Sequence, residues 1–235
     1  GDATVVKLYS AAWFAHLDAV VGAAQRVRPA ERVVLRLARN VAADRGRSDG
    51  TALVGEVPDR AVRFLERGLT FEADLVHGQK TGHFLDQRDN RFRVRSRAAG
   101  ARVLDVYSCT GGFSVNAAAG GADLVHSVDI SEGAIATARR NMDHNRSLPA
   151  VRACHHHDTV GDAMAVMAEM SDHGRRFDMV VVDPPSFASR QDQIAQALKS
   201  LSVMSVREVG AVYASPREHA LFHDEVERAS ATLKI

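Results

Sequence analysis

Hydrophobic and polar positions repeat with two different periods along the chain, and the periods predict the elements. Thr4–Tyr9 alternates β-branched and polar residues and predicts a strand. Ala11–Arg28 sets Trp13, Phe14, Leu17, Val20 and Val21 at helical spacing and stops before Pro29, which predicts a helix. Val33–Ala38 predicts a second strand, and the polar, Gly-containing run Asn40–Gly50 a loop. Ala61–Glu66 and Leu69–Val76 flank Arg67-Gly68 and predict a hairpin. Together these predict a small α+β domain over residues 1–68 that could touch a partner, followed by a larger domain over 69–235.

From Ala101 onward short apolar strands alternate with helices. The strands are predicted at Arg102–Tyr107, Leu124–Asp129, Val151–Cys154, Asp178–Asp183 and Ala211–Ala214. The helices fall near Phe113–Ala119, Ser131–Asn145, Thr159–Ser171, Gln191–Val206 and Arg217–Ser230. This is the pattern of an α/β fold with a parallel sheet covered on both faces. Such sheets hold ligands at the carboxyl ends of their strands, so residues just after each strand are the ones to read.

Composition narrows the class. The chain has 235 residues, 46% apolar and 25% charged, which excludes a disordered or fibrous protein. No apolar run approaches the ~20 residues of a membrane helix, and no secretory leader is visible. Two cysteines, Cys109 and Cys154, predict a reducing, cytoplasmic setting rather than a disulfide scaffold. Net charge is +1, but it is segregated. Residues 1–100 carry 17 Lys+Arg against 12 Asp+Glu, net +5, and residues 101–235 carry 13 against 17, net −4. The excess peaks at Arg88, Arg91, Arg93, Arg95 and Arg97. Arginines fork onto phosphates, so this run suits a nucleic acid, although a solvated helix face would also carry it.

The strand ends carry the chemistry. Asp105 ends in the turn Ser108-Cys109-Thr110-Gly111-Gly112, where two glycines let backbone approach a ligand. Asp129, about twenty residues on, sits where an acid accepts ribose hydroxyls. A solvent-facing carboxylate is the alternative for Asp129 alone. Ser131 then reads as a helix cap. His155-His156-His157 cannot converge on one metal from a strand, since side chains alternate, and no metal is expected. Asp158 is positioned to meet an adenine amino group. Asp183-Pro184-Pro185-Ser186-Phe187 combines a fixed carboxylate and carbonyl acceptors with an aromatic plate for a base.

In order and spacing these motifs resemble the class I S-adenosylmethionine-dependent methyltransferases, a Rossmann-like fold. The run from Phe71 through Gly78-Gln79-Lys80-Thr81-Gly82-His83-Phe84-Leu85-Asp86-Gln87 to Arg91 is similar, more narrowly, to bacterial 23S ribosomal RNA methyltransferases of the cytosine-5 and guanine-N7 type. The resemblance implies S-adenosylmethionine as cofactor. It implies cofactor contacts at Lys80, Thr81, Phe84, Gln87, Asp105, Ser108, Thr110, Gly111, Gly112, Phe113, Asp129, Ile130 and Asp158. It implies that Asp183, Pro184, Pro185 and Phe187 hold the target base, and that ribosomal RNA is the partner, met by the arginine run.

The chain also departs from that family. Cytosine-5 enzymes add a Cys thiolate to the ring, from a motif after the fifth strand. The matching stretch reads Val212-Tyr213-Ala214-Ser215-Pro216, with Ala214 where the Cys is expected. A nitrogen target, which needs no covalent step, is therefore predicted. The family's N-terminal RNA-binding module and last two strands are not matched, and no initiator Met is present, so a truncated or divergent chain is expected. The open sheet edge this leaves would suit a homodimer. Methylation of a small molecule, or binding without turnover, are the competing functions.

Overall fold

The computed structural model describes residues 2–43, 46–78, 82–183 and the strand 206–211. The chain divides into two compact units, Gly1–Phe84 and Leu85–Ile235. A boundary at residue 68 would cut the hairpin formed by β4 (Val62–Glu66) and β5 (Leu69–Ala73), whose strands pair along their whole length.

In the first unit, β1 (Ala3–Leu8) and β2 (Arg32–Leu37) run parallel, and β3 (Ala52–Val54) adds antiparallel to β2. The β1–β2 crossover is the predicted helix, split into a 3-10 turn (Ala11–His16) and α1 (Leu17–Val27). Leu8, Phe14, Leu17, Leu35 and Val41 bury one face of the sheet. Val34 meets Ala73 and Leu75 from the other face, with Val62 and Phe64 packed alongside. The three-residue β3 was not legible because Thr51–Gly55 carries too few alternating positions for a pattern. The buried Arg36 guanidinium donates to Asp49 Oδ1 at 3.0 Å and to the carbonyls of Leu75 and Gly78 at 3.0 and 3.2 Å. It therefore pins the loop that leads into residues 79–81.

The second unit opens with a 3-10 turn (Leu85–Gln87) and α2 (Arg88–Arg97). Its five-stranded sheet comprises β6 (Arg102–Val106), β7 (Leu124–Asp129), β8 (His155–Val160), β9 (Phe177–Val182) and β10 (Val206–Ala211). All pairings are parallel, in the order β10-β9-β6-β7-β8. The strand order reverses between β6 and β9, which opens a crevice there. One face packs α6 (Ala163–Asp172) through Met167 and Met170 onto Leu104, Val106, Val180 and Val182. The residues between these on β6, Val103 and Asp105, face the other way, toward α3 (Gly112–Ala119), with α4 (Glu132–His144) beyond it.

Two predicted strands move. Val151–Cys154 is not a strand. Pro149 sits in the first turn of a short helix, α5 (Pro149–Ala153), and its fixed φ starts that helix rather than extending the chain. The third strand is the histidine run itself, and the helix after it begins at Ala163 rather than Thr159. The fifth strand lies at Val206–Ala211, upstream of the expected Ala211–Ala214, with Glu208 opposite Met179 and Gly210 opposite Val181. Arg207, Glu208 and Gly210 disguised it as a turn. The expected helix Arg217–Ser230, nearly all of Gln191–Val206, and Ala214 lie outside the described residues.

Candidate active site

The turn after β6 is strained. Tyr107 and Cys109 have φ of 60° and 48°, and Gly111 of 74°. Non-glycine residues rarely adopt such values, at a cost of roughly 1 kcal/mol or more each. Neighbouring elements hold the turn in place. Ser108 N donates to Val128 O at 3.0 Å, Cys109 N to Asp129 Oδ2 at 2.8 Å, and Asn141 Nδ2 to Thr110 O at 2.8 Å. At Gly111 a Cβ would lie 2.7 Å from Ala138 Cβ, so glycine is what lets α4 close against the turn. The backbone thus forms a rigid seat at the mouth of the sheet.

Beneath the seat lies Asp105, wholly buried. Its Oδ2 accepts hydrogen bonds from the Ser114 amide and hydroxyl, at 3.0 and 2.5 Å. The Ser114 hydroxyl also meets Ser127 Oγ at 2.7 Å, which in turn meets His156 Nε2 at 2.8 Å. Among the described residues, the other oxygen, Asp105 Oδ1, is buried with no hydrogen-bond partner, and so is Ser108 Oγ. Buried polar atoms without partners are costly and point to a ligand or solvent that would satisfy them. Burial pushes the Asp105 carboxyl up to about 7, with Asp183 and Asp129 adding repulsion that the two bonds from Ser114 do not cancel.

Asp129 ends β7 and accepts from Cys109 N and, at 2.9 Å, from Ser131 N. Ser131 caps α4 by accepting from Ala134 N at 3.2 Å. Ile130, between them, is 75% exposed, an apolar plate beside the carboxylate. Asp183 follows β9, and its amide donates to Val106 O across the crevice at 3.4 Å. Acceptors and an apolar plate around a strained turn suit a ligand with cationic groups, hydroxyls and a flat ring.

Residues 16–209 match the family of S-adenosylmethionine-dependent methyltransferases. The chain belongs to that family. It is 44% identical over 200 residues to a ribosomal RNA large subunit methyltransferase of Deinococcus radiodurans, covering 83% of this chain and 48% of that protein. To ribosomal RNA large subunit methyltransferase I of Shigella boydii serotype 18 it is 35% identical, covering 85% and 50%. The chain therefore spans about half the length of the curated relatives it matches. A solved structure of an assigned methyltransferase complexed with SAH superposes with a TM-score of 0.74 at 26% identity, over 90% of this chain and 55% of that one. The expected Rossmann-like class I sheet is the sheet observed.

The structure brings the β6 turn, Asp129 and Asp183 together around one crevice. Asp158 does not join them. It lies within β8, two residues short of the strand end, and takes a two-pronged bond from Arg139 on α4, which holds its carboxyl below the usual range. The acid beyond the end of β8 is Asp162, whose Oδ1 caps α6 by accepting from Met164 N and Ala165 N at 3.1 and 3.0 Å. The misplaced strand hid it; the helix-capping pattern Asp162-Ala163-Met164 could have revealed it. Phe113 is buried in α3, and Gln87 is buried with its side chain bonded to Asn90. Phe84 closes the first unit, half-buried. Lys80, Thr81, Pro184, Pro185, Ser186 and Phe187 lie outside the described residues.

Of the arginine run, Arg88, Arg93 and Arg97 are exposed, Arg95 is half-buried, and Arg91 is only 2% exposed, so it is not a surface contact. Burial pushes both thiols, Cys109 and Cys154, up to about 11, so neither is a thiolate near neutral pH. Among the described residues no group of His, Cys, Asp and Glu is placed to hold a metal, and no helix is long and apolar enough to cross a membrane.

Proposed function

We propose that this chain carries an S-adenosylmethionine-dependent methyltransferase that acts on a base of ribosomal RNA, at a nitrogen, in the cytoplasm. The observation that supports it most is the strained turn with two unpartnered polar atoms, Asp105 Oδ1 and Ser108 Oγ, buried at its base. Acidic surroundings suit a cofactor bearing a sulfonium and an ammonium. Asp129 offers acceptors to ribose hydroxyls, Ile130 covers one face of the adenine, and Asp162, rather than Asp158, meets its amino group. Lys80, Thr81, Phe84 and Gln87 are its further neighbours by family resemblance.

When bound, S-adenosylmethionine supplies a methyl group already activated by the sulfonium. The protein's part is to orient a lone pair toward it and keep water out. Asp183 accepts a hydrogen bond from the target amine or ring, and by family resemblance Pro184, Pro185 and Phe187 hold the base. The nitrogen assignment rests on the cysteines: a covalent route needs a thiolate, and the two described thiols titrate far above neutrality. The exposed Arg88, Arg93 and Arg97 meet RNA phosphates.

The test is to incubate the full chain with methyl-labelled S-adenosylmethionine and total RNA from a strain lacking the gene, then identify the labelled nucleoside by mass spectrometry. Label on 7-methylguanosine or another N-methylated base is expected. Label on 5-methylcytidine would overturn the nitrogen assignment. Label only in the small-molecule fraction would overturn the RNA assignment.

A further inference from the structure

Helix α2 divides by angle around its axis. Arg91, Val94 and, just past its end, Ala98 are buried. The opposite side carries Arg88, Phe92, Arg93 and Arg97, all exposed. The helix is firmly seated, because Gly120 at the end of α3 has no Cβ; one placed there would lie 2.0 Å from the Arg95 carbonyl oxygen. Phe92 is therefore held at the surface, 42% exposed, on a rigid support.

A partly exposed aromatic ring on a helix that also carries exposed guanidiniums joins two chemistries on one surface. Phe92 lies four positions after Arg88, and Arg97 four after Arg93, so two adjacent rows one turn long place positive charge beside the ring. The only acid on the helix is Asp89, 3.7 Å from Arg88. This charge favours a polyanion over a protein face of mixed sign. A flat ring then favours a polyanion whose own flat rings are accessible. In a duplex those faces are stacked away; in a single strand they are open.

We propose that the α2 face is a platform for single-stranded RNA: an unpaired base stacks on Phe92 while Arg88, Arg93 and Arg97 hold the phosphates on either side. The proposal rests on the ribosomal RNA reading above and specifies it, placing the target base next to unpaired nucleotides. Stacking is indifferent to base identity, so the platform selects for strand state and leaves sequence selection to the methylation site.

The experiment uses the full chain with the single tryptophan moved: Trp13→Phe combined with Phe92→Trp. A mixed-sequence oligoribonucleotide is titrated as a single strand and as a duplex, following indole fluorescence and, separately, the anisotropy of labelled RNA. Quenching by the single strand and not by the duplex is expected. Phe92→Ala should weaken single-strand binding about tenfold and spare duplex binding, with its thermal midpoint unchanged as the control for folding. Unquenched indole with RNA bound, or full affinity in Phe92→Ala, overturns the platform and leaves the RNA reading standing. Failure of the unsubstituted chain to bind RNA of either kind overturns both. Saturable quenching by an acidic peptide, with none by RNA, would make the face a protein-docking surface and also overturn the proposal.

Discussion

Asp105 carries the pH dependence at the scale of single residues. Its carboxyl titrates near 3.8 when exposed and at about 7 in the folded chain. Between those values the folded state keeps a proton that the unfolded state has lost. This group's contribution to stability is therefore greatest below about pH 4, falls as pH rises toward 7, and is flat above. Asp105→Asn removes the titration and keeps an oxygen for the two bonds from Ser114. Relative to the variant, the native chain should lose on the order of 2 kcal/mol of stability between pH 5 and pH 8, measured by urea unfolding at both values. A constant difference would mean that Asp105 is not buried as described. Gly111→Ala makes a separate point. The new Cβ meets Ala138 at a φ of 74°, so both overpacking and backbone strain oppose it. A loss of roughly 1–3 kcal/mol is expected, together with weaker SAH binding by calorimetry, because the seat itself must shift.

At the scale of elements, the sequence pattern was most informative where one face is buried and least where an edge or a short turn intervenes. Leu124–Asp129 was legible to the residue, since Val125 and Val128 sit in the core of a central parallel strand. The edge strand β8 was not, because His155-His156-His157-Asp158 gives no apolar signal and half of such a strand faces water. That one error displaced the following helix and hid Asp162, the acid that caps it. Asp162 can be tested for both of its roles. Asp162→Ala deletes the cap on α6 and should cost about 1 kcal/mol. Asp162→Asn can still cap, so its thermal midpoint should stay near that of the native chain. The neutral amide is a poorer acceptor for an adenine amino group, so its KM for S-adenosylmethionine should rise several-fold with kcat little changed. Equal KM in the Asn variant and the native chain would leave Asp162 as a cap alone.

For the whole molecule, much of the site was readable because strand ends in a parallel sheet converge whatever their separation in sequence. Asp105, Asp129 and Asp183 lie far apart in the chain, yet in the fold both Asp129 and Asp183 act on the Asp105 carboxyl. What the sequence could not supply was burial: the arginine run reads as five equivalent charges, and only the packing of α2 withdraws Arg91 and leaves three on the surface. That count sets the last prediction. A net charge of +1 gives a polyanion little reason to approach, whereas the net +5 over residues 1–100 concentrates positive charge on the segment that includes α2. Binding through three guanidiniums releases the counterions of three phosphates. The slope of log affinity against log salt should then be about −2 on single-stranded RNA, a loss of roughly twentyfold between 50 and 200 mM KCl. Removing Arg93 and Arg97 together, as Arg93→Gln with Arg97→Gln, should flatten that slope by about 1.4. Arg91→Gln is the contrast: a buried guanidinium releases no phosphate counterion, so its loss should lower the thermal midpoint and leave the salt slope as it is. If instead Arg91→Gln flattens the slope, the helix meets RNA by its inner face, and the orientation of α2 in the complex differs from the one seen in the chain alone.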